Sequence, residues 1–101
     1  MSSIYYSGKR EEMLQYIPDS CKTILEIGCG EGVFAESVKI KFNAEVWGVE
    51  LKKEVAEKAE KVIDKVICGD ITKIVETLPE NYFDCIIFND VLEHLIDPFQ
   101  L

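Results

Sequence analysis

The stretch Ile24-Leu25-Glu26-Ile27-Gly28-Cys29-Gly30-Glu31-Gly32-Val33-Phe34-Ala35 permits few folds. Its first residues form a short apolar run, the pattern of a strand buried in a parallel sheet. Glycines at alternate positions end the run. The period then changes, with Phe34, Ala35, Val38 and Phe42 recurring at helical spacing on one face. Strand, glycine turn and helix together place a nucleotide-binding crevice at the carboxyl end of a central strand. Such a turn needs glycine because a ligand must approach bare backbone, and because some positions take positive φ.

The type of glycine turn narrows the ligand. A dinucleotide fingerprint reads G-x-G-x-x-G. Here the order is Gly28-x-Gly30-x-Gly32, and Val33 stands where the third glycine of that fingerprint belongs. Glu26 and Glu31 flank the turn. A pyrophosphate at a helix N-terminus favours positive charge around it, so these carboxylates oppose one. They suit a ligand whose nearby end is cationic. S-adenosylmethionine carries a sulfonium and an ammonium and no phosphate, and Glu26 is placed to offset the ammonium directly or through water. The alternative is a purely structural turn with exposed acids.

A chain of 101 residues is a single domain, and its 48% hydrophobic content supports a core. Nineteen acidic residues against eleven basic ones give a net charge of −8, which disfavours a nucleic-acid partner, since phosphate binding needs clustered Lys and Arg. The four cysteines, Cys21, Cys29, Cys68 and Cys85, form no C-x-x-C pair, and His94 is the one histidine, so no metal site is expected. Three of the cysteines lie in or beside apolar runs and read as small buried residues in a reducing cytoplasm. No signal peptide and no run of membrane-spanning length is visible.

Taken in order, residues 1–8 are a polar and aromatic lead-in, and 9–17 a short helix stopped by Pro18. Strands are predicted at Thr23–Ile27, Glu45–Glu50, Lys65–Cys68 and 82–88. Helices are predicted at 32–42, 52–63 and 72–78, with a last one capped by Asn89-Asp90 and running through Val91, Leu92 and Leu95. Asn43 is a plausible end for the first crossover helix. Glu54–Lys58 and Glu57–Lys61 are spaced as i,i+4 pairs on a solvated helix face. The alternation predicts an α/β fold, a Rossmann-like parallel sheet with helices on both faces.

Carboxylates recur at the strand ends. Glu50 closes the second strand, at a spacing from Gly28 where an acid accepts hydrogen bonds from ribose hydroxyls; the alternative is a helix-capping role. On the ribose reading its partner is the ligand, so Glu50→Ala is expected to spare folding. Asp70 closes the third strand and could accept the exocyclic amine of adenine, cap the next helix, or do both. Asn89 and Asp90 close the fourth strand, near the methionine part of the ligand and its transferred methyl.

With these residues in place, the sequence resembles class I S-adenosylmethionine-dependent methyltransferases, in their small-molecule branch. The resemblance rests on ILEIGCGEG at 24–32, VWGVE at 46–50, VICGDI at 66–71 and YFDCIIFNDVLEHLIDP at 82–98. It implies that Glu26, Gly28, Cys29 and Gly30 line the methionine end of the cofactor. Glu50 would bind the ribose with Leu51 beside the adenine. Asp70 and Ile71 would hold the adenine, and Asn89 would contact the methionine portion through its backbone. Tyr5, Tyr6 and Arg10 are similar to a lead-in that closes over the cofactor, with Arg10 pairing to its carboxylate. His94 lies one helical turn beyond Asp90, either as a general base toward the acceptor or as a packing histidine.

The family sheet has seven strands in an order beginning 3-2-1-4, and this sequence supplies the first four. The expectation is therefore a cofactor-binding half with its C-terminal part absent, catalytically weak alone, with an exposed fourth-strand edge open to self-association. The implied function is methyl transfer to a small-molecule acceptor. The alternatives are a non-catalytic S-adenosylmethionine-binding module and a nicotinamide-dependent oxidoreductase, which Val33 and the acidic turn argue against.

Overall fold

A computed structural model describes residues 2–6 and 14–89. Five parallel strands form one sheet: β1 (Ser2–Tyr6), β2 (Thr23–Ile27), β3 (Glu45–Glu50), β4 (Lys65–Cys68) and β5 (Cys85–Asn89), in the order β1-β5-β2-β3-β4. The helices are α1 (Val33–Phe42), α2 (Lys53–Ala59) and a single-turn α3 (Ile71–Ile74). The strands read from the sequence pair in the expected order, 3-2-1-4.

Alternation along β2 divides the core into two. Ile24 faces one side with Val46, Cys85 and Ile87, packed under Phe34, Ala35, Val38 and Phe42 of α1. Leu25 and Ile27 face the other with Val49 and Phe88, packed against Ile71 and Phe83. Burial of large aliphatic side chains such as Ile24 and Ile87, both 0% exposed, contributes roughly 1.5–3 kcal/mol each. A central strand is covered on both faces, which is why β2 carries apolar residues on each, Ile24 on one and Leu25 and Ile27 on the other, with Glu26 the buried exception.

The lead-in is a strand rather than a loose segment. β1 pairs in parallel with β5, with Ser2 opposite Cys85 and Tyr6 opposite Asn89. The fourth predicted strand is therefore covered on both sides, and the exposed edge expected there does not exist. Ser2-Ser3-Ile4-Tyr5-Tyr6 has neither an apolar run nor clean alternation, so only its partner reveals it.

Several boundaries move for local reasons. Of the predicted helix at 9–17, Leu14–Tyr16 is a 3-10 turn and residues 9–13 lie outside the described residues. α1 ends at Asn43 in the left-handed region (φ 50°), as expected. α2 stops at Ala59 instead of Ile63. Lys61 and Val62 donate three residues back, to Lys58 and Ala59, which tightens the chain. Asp64 then accepts from the Val46 amide at 2.8 Å, reversing the chain into β4. Val62 and Ile63 still reach the core from this turn. The predicted helix at 72–78 is split into α3 and a 3-10 turn at Val75–Thr77. The fourth predicted strand starts at Cys85 rather than 82. The Asp84 carboxylate accepts from the Lys22 and Thr23 amides, and the Tyr82 hydroxyl donates to Glu45, so these residues dock onto β2 and β3 from outside the ladder. The predicted helix from Asp90 onward lies outside the described residues.

Candidate cofactor site

The carboxyl ends of β2, β3 and β4 lie side by side, since Ile27 pairs with Val49 and Glu50 with Cys68. The segments that follow these strands form one rim, where the predicted residues collect.

The glycine turn follows β2. Gly28, Gly30 and Gly32 all have positive φ (81°, 58° and 91°), conformations that a side chain disfavours. The turn is pinned from beneath, with the Gly28 and Cys29 amides both donating to the Val49 carbonyl at 2.8 and 3.1 Å. Gly32 is glycine for space as well. A Cβ there would lie 2.8 Å from Val62 Cγ2 and 3.1 Å from Ala59 Cα. At Gly30 a Cβ would meet nothing within 4 Å, so this side of the turn is open to a ligand.

The acids divide by burial. Glu26 is 1% exposed, in register between Gly48 and Ile87. Glu31 is exposed and pairs with Lys58 at 3.3 Å, linking the turn to α2. That contact takes Lys58 away from the Glu54 partner its helical spacing suggested. Glu50 accepts from the Gly30 amide through Oε1 at 3.0 Å and from the Lys52 amide through Oε2 at 2.9 Å. The premise that the ligand is the sole partner of Glu50 is corrected: its carboxylate has two backbone partners within the protein, at the turn and at the entry to α2, so Glu50→Ala is expected to cost stability as well.

Cys29 is 0% exposed, so only its backbone can line a ligand. Burial, with Glu26 and Glu50 adding negative charge nearby, pushes its thiol up to about 12. Leu51 is 68% exposed beside Glu50, an apolar surface at the rim. Asp70 accepts from the Thr72 hydroxyl at 2.8 Å and amide at 3.0 Å, which caps α3 and holds its carboxyl below the usual range. The Ile71 side chain is buried in the second core, which leaves its backbone for a ligand. Asn89 ends β5 at the same rim, with Tyr6 beside it in register. Arg10 and His94 lie outside the described residues. Cys68 is exposed at the end of β4, with its thiol 3.7 Å from the Leu51 carbonyl. Cys29 and Cys85 are buried as expected, and so is Cys21; the reading of Cys68 as buried, from its apolar neighbours Val66 and Ile67, is corrected. Among the described residues, no group of three or more His, Cys, Asp and Glu side chains could hold a metal ion, and no helix is long and apolar enough to cross a membrane.

A parallel sheet with a glycine turn on its central strand and carboxylates at the ends of the next two defines an α/β cofactor-binding domain. Residues 25–101 match the family described as "Methyltransferase domain", and the chain belongs to that family, with the class I sheet order. It is 33% identical over 100 residues to the mitochondrial ubiquinone biosynthesis O-methyltransferase of Candida albicans, covering 92% of this chain and 30% of that protein. Among solved structures it is similar to a SAM-dependent methyltransferase from Archaeoglobus fulgidus, with TM-score 0.71 and 28% identity over 92% of this chain and 43% of the other. It is also similar to the plantazolicin methyltransferase BpumL in complex with SAH, with TM-score 0.56 and 25% identity over 78% of this chain and 31% of the other. The chain therefore spans less than half the length of each of these relatives.

Proposed function

We propose that this chain is one continuous domain segment, residues 1–101, that binds S-adenosylmethionine across the ends of β2, β3 and β4. The whole protein transfers the cofactor's methyl group to a small-molecule acceptor. The observation that carries this reading is the contact from the Gly30 amide to Glu50. In a dinucleotide site the turn's amides face phosphate. Here the Gly30 amide is met by a carboxylate, and Glu26 lies buried at the end of β2, so the turn favours a cationic ligand and repels a pyrophosphate.

The residues fit the cofactor in order. Glu26 offsets the ammonium. Gly28, Cys29 and Gly30 present backbone to the methionine end, as does Asn89. Glu50 takes the ribose hydroxyls, and exposed Leu51 covers one face of the adenine. Asp70 accepts the adenine amine while it caps α3, and the Ile71 backbone borders the ring. Arg10 and His94, outside the described residues, keep their sequence-based assignments: Arg10 to the cofactor carboxylate, and His94 to either packing or a base toward the acceptor.

When bound, the cofactor supplies an electrophilic methyl on a sulfonium, open to in-line displacement. The chain's own contribution is positioning and exclusion of water. A small-molecule acceptor agrees with the ubiquinone and plantazolicin enzymes among its relatives. The cytoplasm, being reducing, suits four free cysteines.

The test is calorimetric titration with S-adenosylmethionine and S-adenosylhomocysteine, with NAD as control. Selective binding of the adenosylated amino acids, weakened in Glu50→Ala, is the expected result. Preferential binding of NAD overturns the reading.

A further inference from the structure

The two hydrogen bonds of Glu50 assign it a task that precedes ligand binding. Four amides of the glycine turn have defined partners. Those of Gly28 and Cys29 go to the Val49 carbonyl, and that of Gly32 to the Cys29 carbonyl. Each of these is backbone to backbone. The Gly30 amide alone among them depends on a side chain, Glu50 Oε1 at 3.0 Å. A Cβ at Gly30 would meet nothing within 4 Å, so no neighbouring side chain covers that face of the turn. Its left-handed conformation (φ 58°) is held by that bond together with the Gly32-to-Cys29 turn bond that spans it and the Cys29 thiol donating to its carbonyl at 3.5 Å. The carboxylate cannot swing away freely, because Oε2 is fastened to the Lys52 amide at 2.9 Å, at the entry to α2.

We propose that Glu50 is a positioning residue that latches Gly30 in its ligand-ready conformation before any ligand arrives and keeps the latch closed afterwards. An ionised carboxylate has about four acceptor positions on its two oxygens. The amides use two. One remains on each oxygen, enough for two neighbouring ribose hydroxyls without releasing either amide. Glu50 thus acts on the methionine end of the site through Gly30, as well as on the ribose directly. This last consequence rests on the adenosylmethionine reading; the latch itself does not.

Amide hydrogen exchange by NMR on the intact, ligand-free protein tests the latch. The Gly30 and Lys52 amides are expected to exchange at least about tenfold more slowly than an unstructured chain. Exchange of Gly30 at the free-chain rate overturns the latch, whatever the behaviour of any variant. In Glu50→Gln only one side-chain oxygen can still accept, so at least one of the two amides loses about tenfold in protection while Leu25 in β2 keeps its own. Unchanged protection of both also overturns it. A second measurement separates the latch from direct ribose binding. An S-adenosylhomocysteine analogue lacking both ribose hydroxyls is expected to bind Glu50→Gln about tenfold more weakly than it binds the unaltered protein. Equal affinity confines Glu50 to the ribose and overturns its action through Gly30. If the unaltered protein binds no S-adenosylhomocysteine, the cofactor reading fails, and the exchange rates still decide the latch.

Discussion

Gly48 lies directly under Cys29, so close that a Cβ at residue 48 would stand 2.6 Å from the Cys29 sulfur and 2.9 Å from its Cβ. The floor of the glycine turn is thus a glycine in the neighbouring strand. Gly48→Ala must push Cys29, and the turn with it, off the Val49 carbonyl. Overpacking of this kind costs about 1–3 kcal/mol. The expected outcome is a lowered melting temperature together with weaker S-adenosylhomocysteine binding, read by thermal denaturation and calorimetry.

Gly30 and Gly32 should respond differently to alanine. Both have positive φ, for which a Cβ costs roughly 1–2 kcal/mol. At Gly32 the new methyl also meets Val62 at 2.8 Å, whereas at Gly30 it projects into open space where the ligand is expected. Gly32→Ala should therefore lose more stability, and Gly30→Ala should lose cofactor affinity out of proportion to its stability. Denaturant melts paired with titrations check the contrast.

Asp70 can be divided between its two tasks. Serine can still cap α3 by accepting from Thr72, but it presents no carboxylate to an adenine amine. Asp70→Ser is expected to keep most of the stability and lose affinity. Asp70→Ala should lose affinity and, with the cap, about 1 kcal/mol of stability as well. Equal affinity in all three proteins would remove Asp70 from the ligand.

Acid should destabilise the fold through three aspartates. Partial burial raises Asp64, but hydrogen bonds from Lys39 and the Val46 amide outweigh it and hold the carboxyl below its usual 3.8. Asp84 is lowered by the Lys22 and Thr23 amides, and Asp70 by Thr72. Each group binds its proton more weakly in the folded protein than in the unfolded one. Their stabilisation is therefore complete above the ordinary carboxylate range and is lost as pH falls from about 4 through the lowered values. Asp64→Asn should cost about 1 kcal/mol at neutral pH, and the cost should shrink toward pH 3, as followed by urea melts.

The four thiols should separate into one fast and three slow. Cys68 is exposed, whereas Cys29 and Cys85 are 0% exposed, with burial pushing both thiols up to about 12. A chromogenic disulfide reagent should release one equivalent quickly from the native protein, and Cys68→Ser should abolish that phase.

Much of the sheet was readable because β2 and the three strands after it carry their signal locally. Their apolar runs and the punctuation between them follow from burial on both faces. The site was readable because chemistry at strand ends needs particular residue types, and Glu50 and Asp70 stand there. What stayed hidden depends on contacts distant in sequence. β1 is a strand only because β5 lies beside it. The early end of α2 is imposed by Asp64 reaching Val46 and Lys39. The tie from Glu50 to the Gly30 amide is likewise invisible in a string of letters. Cys68 carries no sequence mark of exposure, because its apolar neighbours suggest the opposite.

The pairing of β1 has a consequence for the route to the native state. β1 is the first described strand, and β5, its sheet neighbour, is the last. During synthesis β1 cannot meet β5 until every other strand described here has been made. Closing that long loop is among the slower steps a parallel sheet demands. Until it closes, both β1 and the outer side of β5 expose unpaired backbone. Chaperone dependence during synthesis should therefore be set by the arrival of β5, which also flanks β2 and carries Asn89 at the cofactor rim.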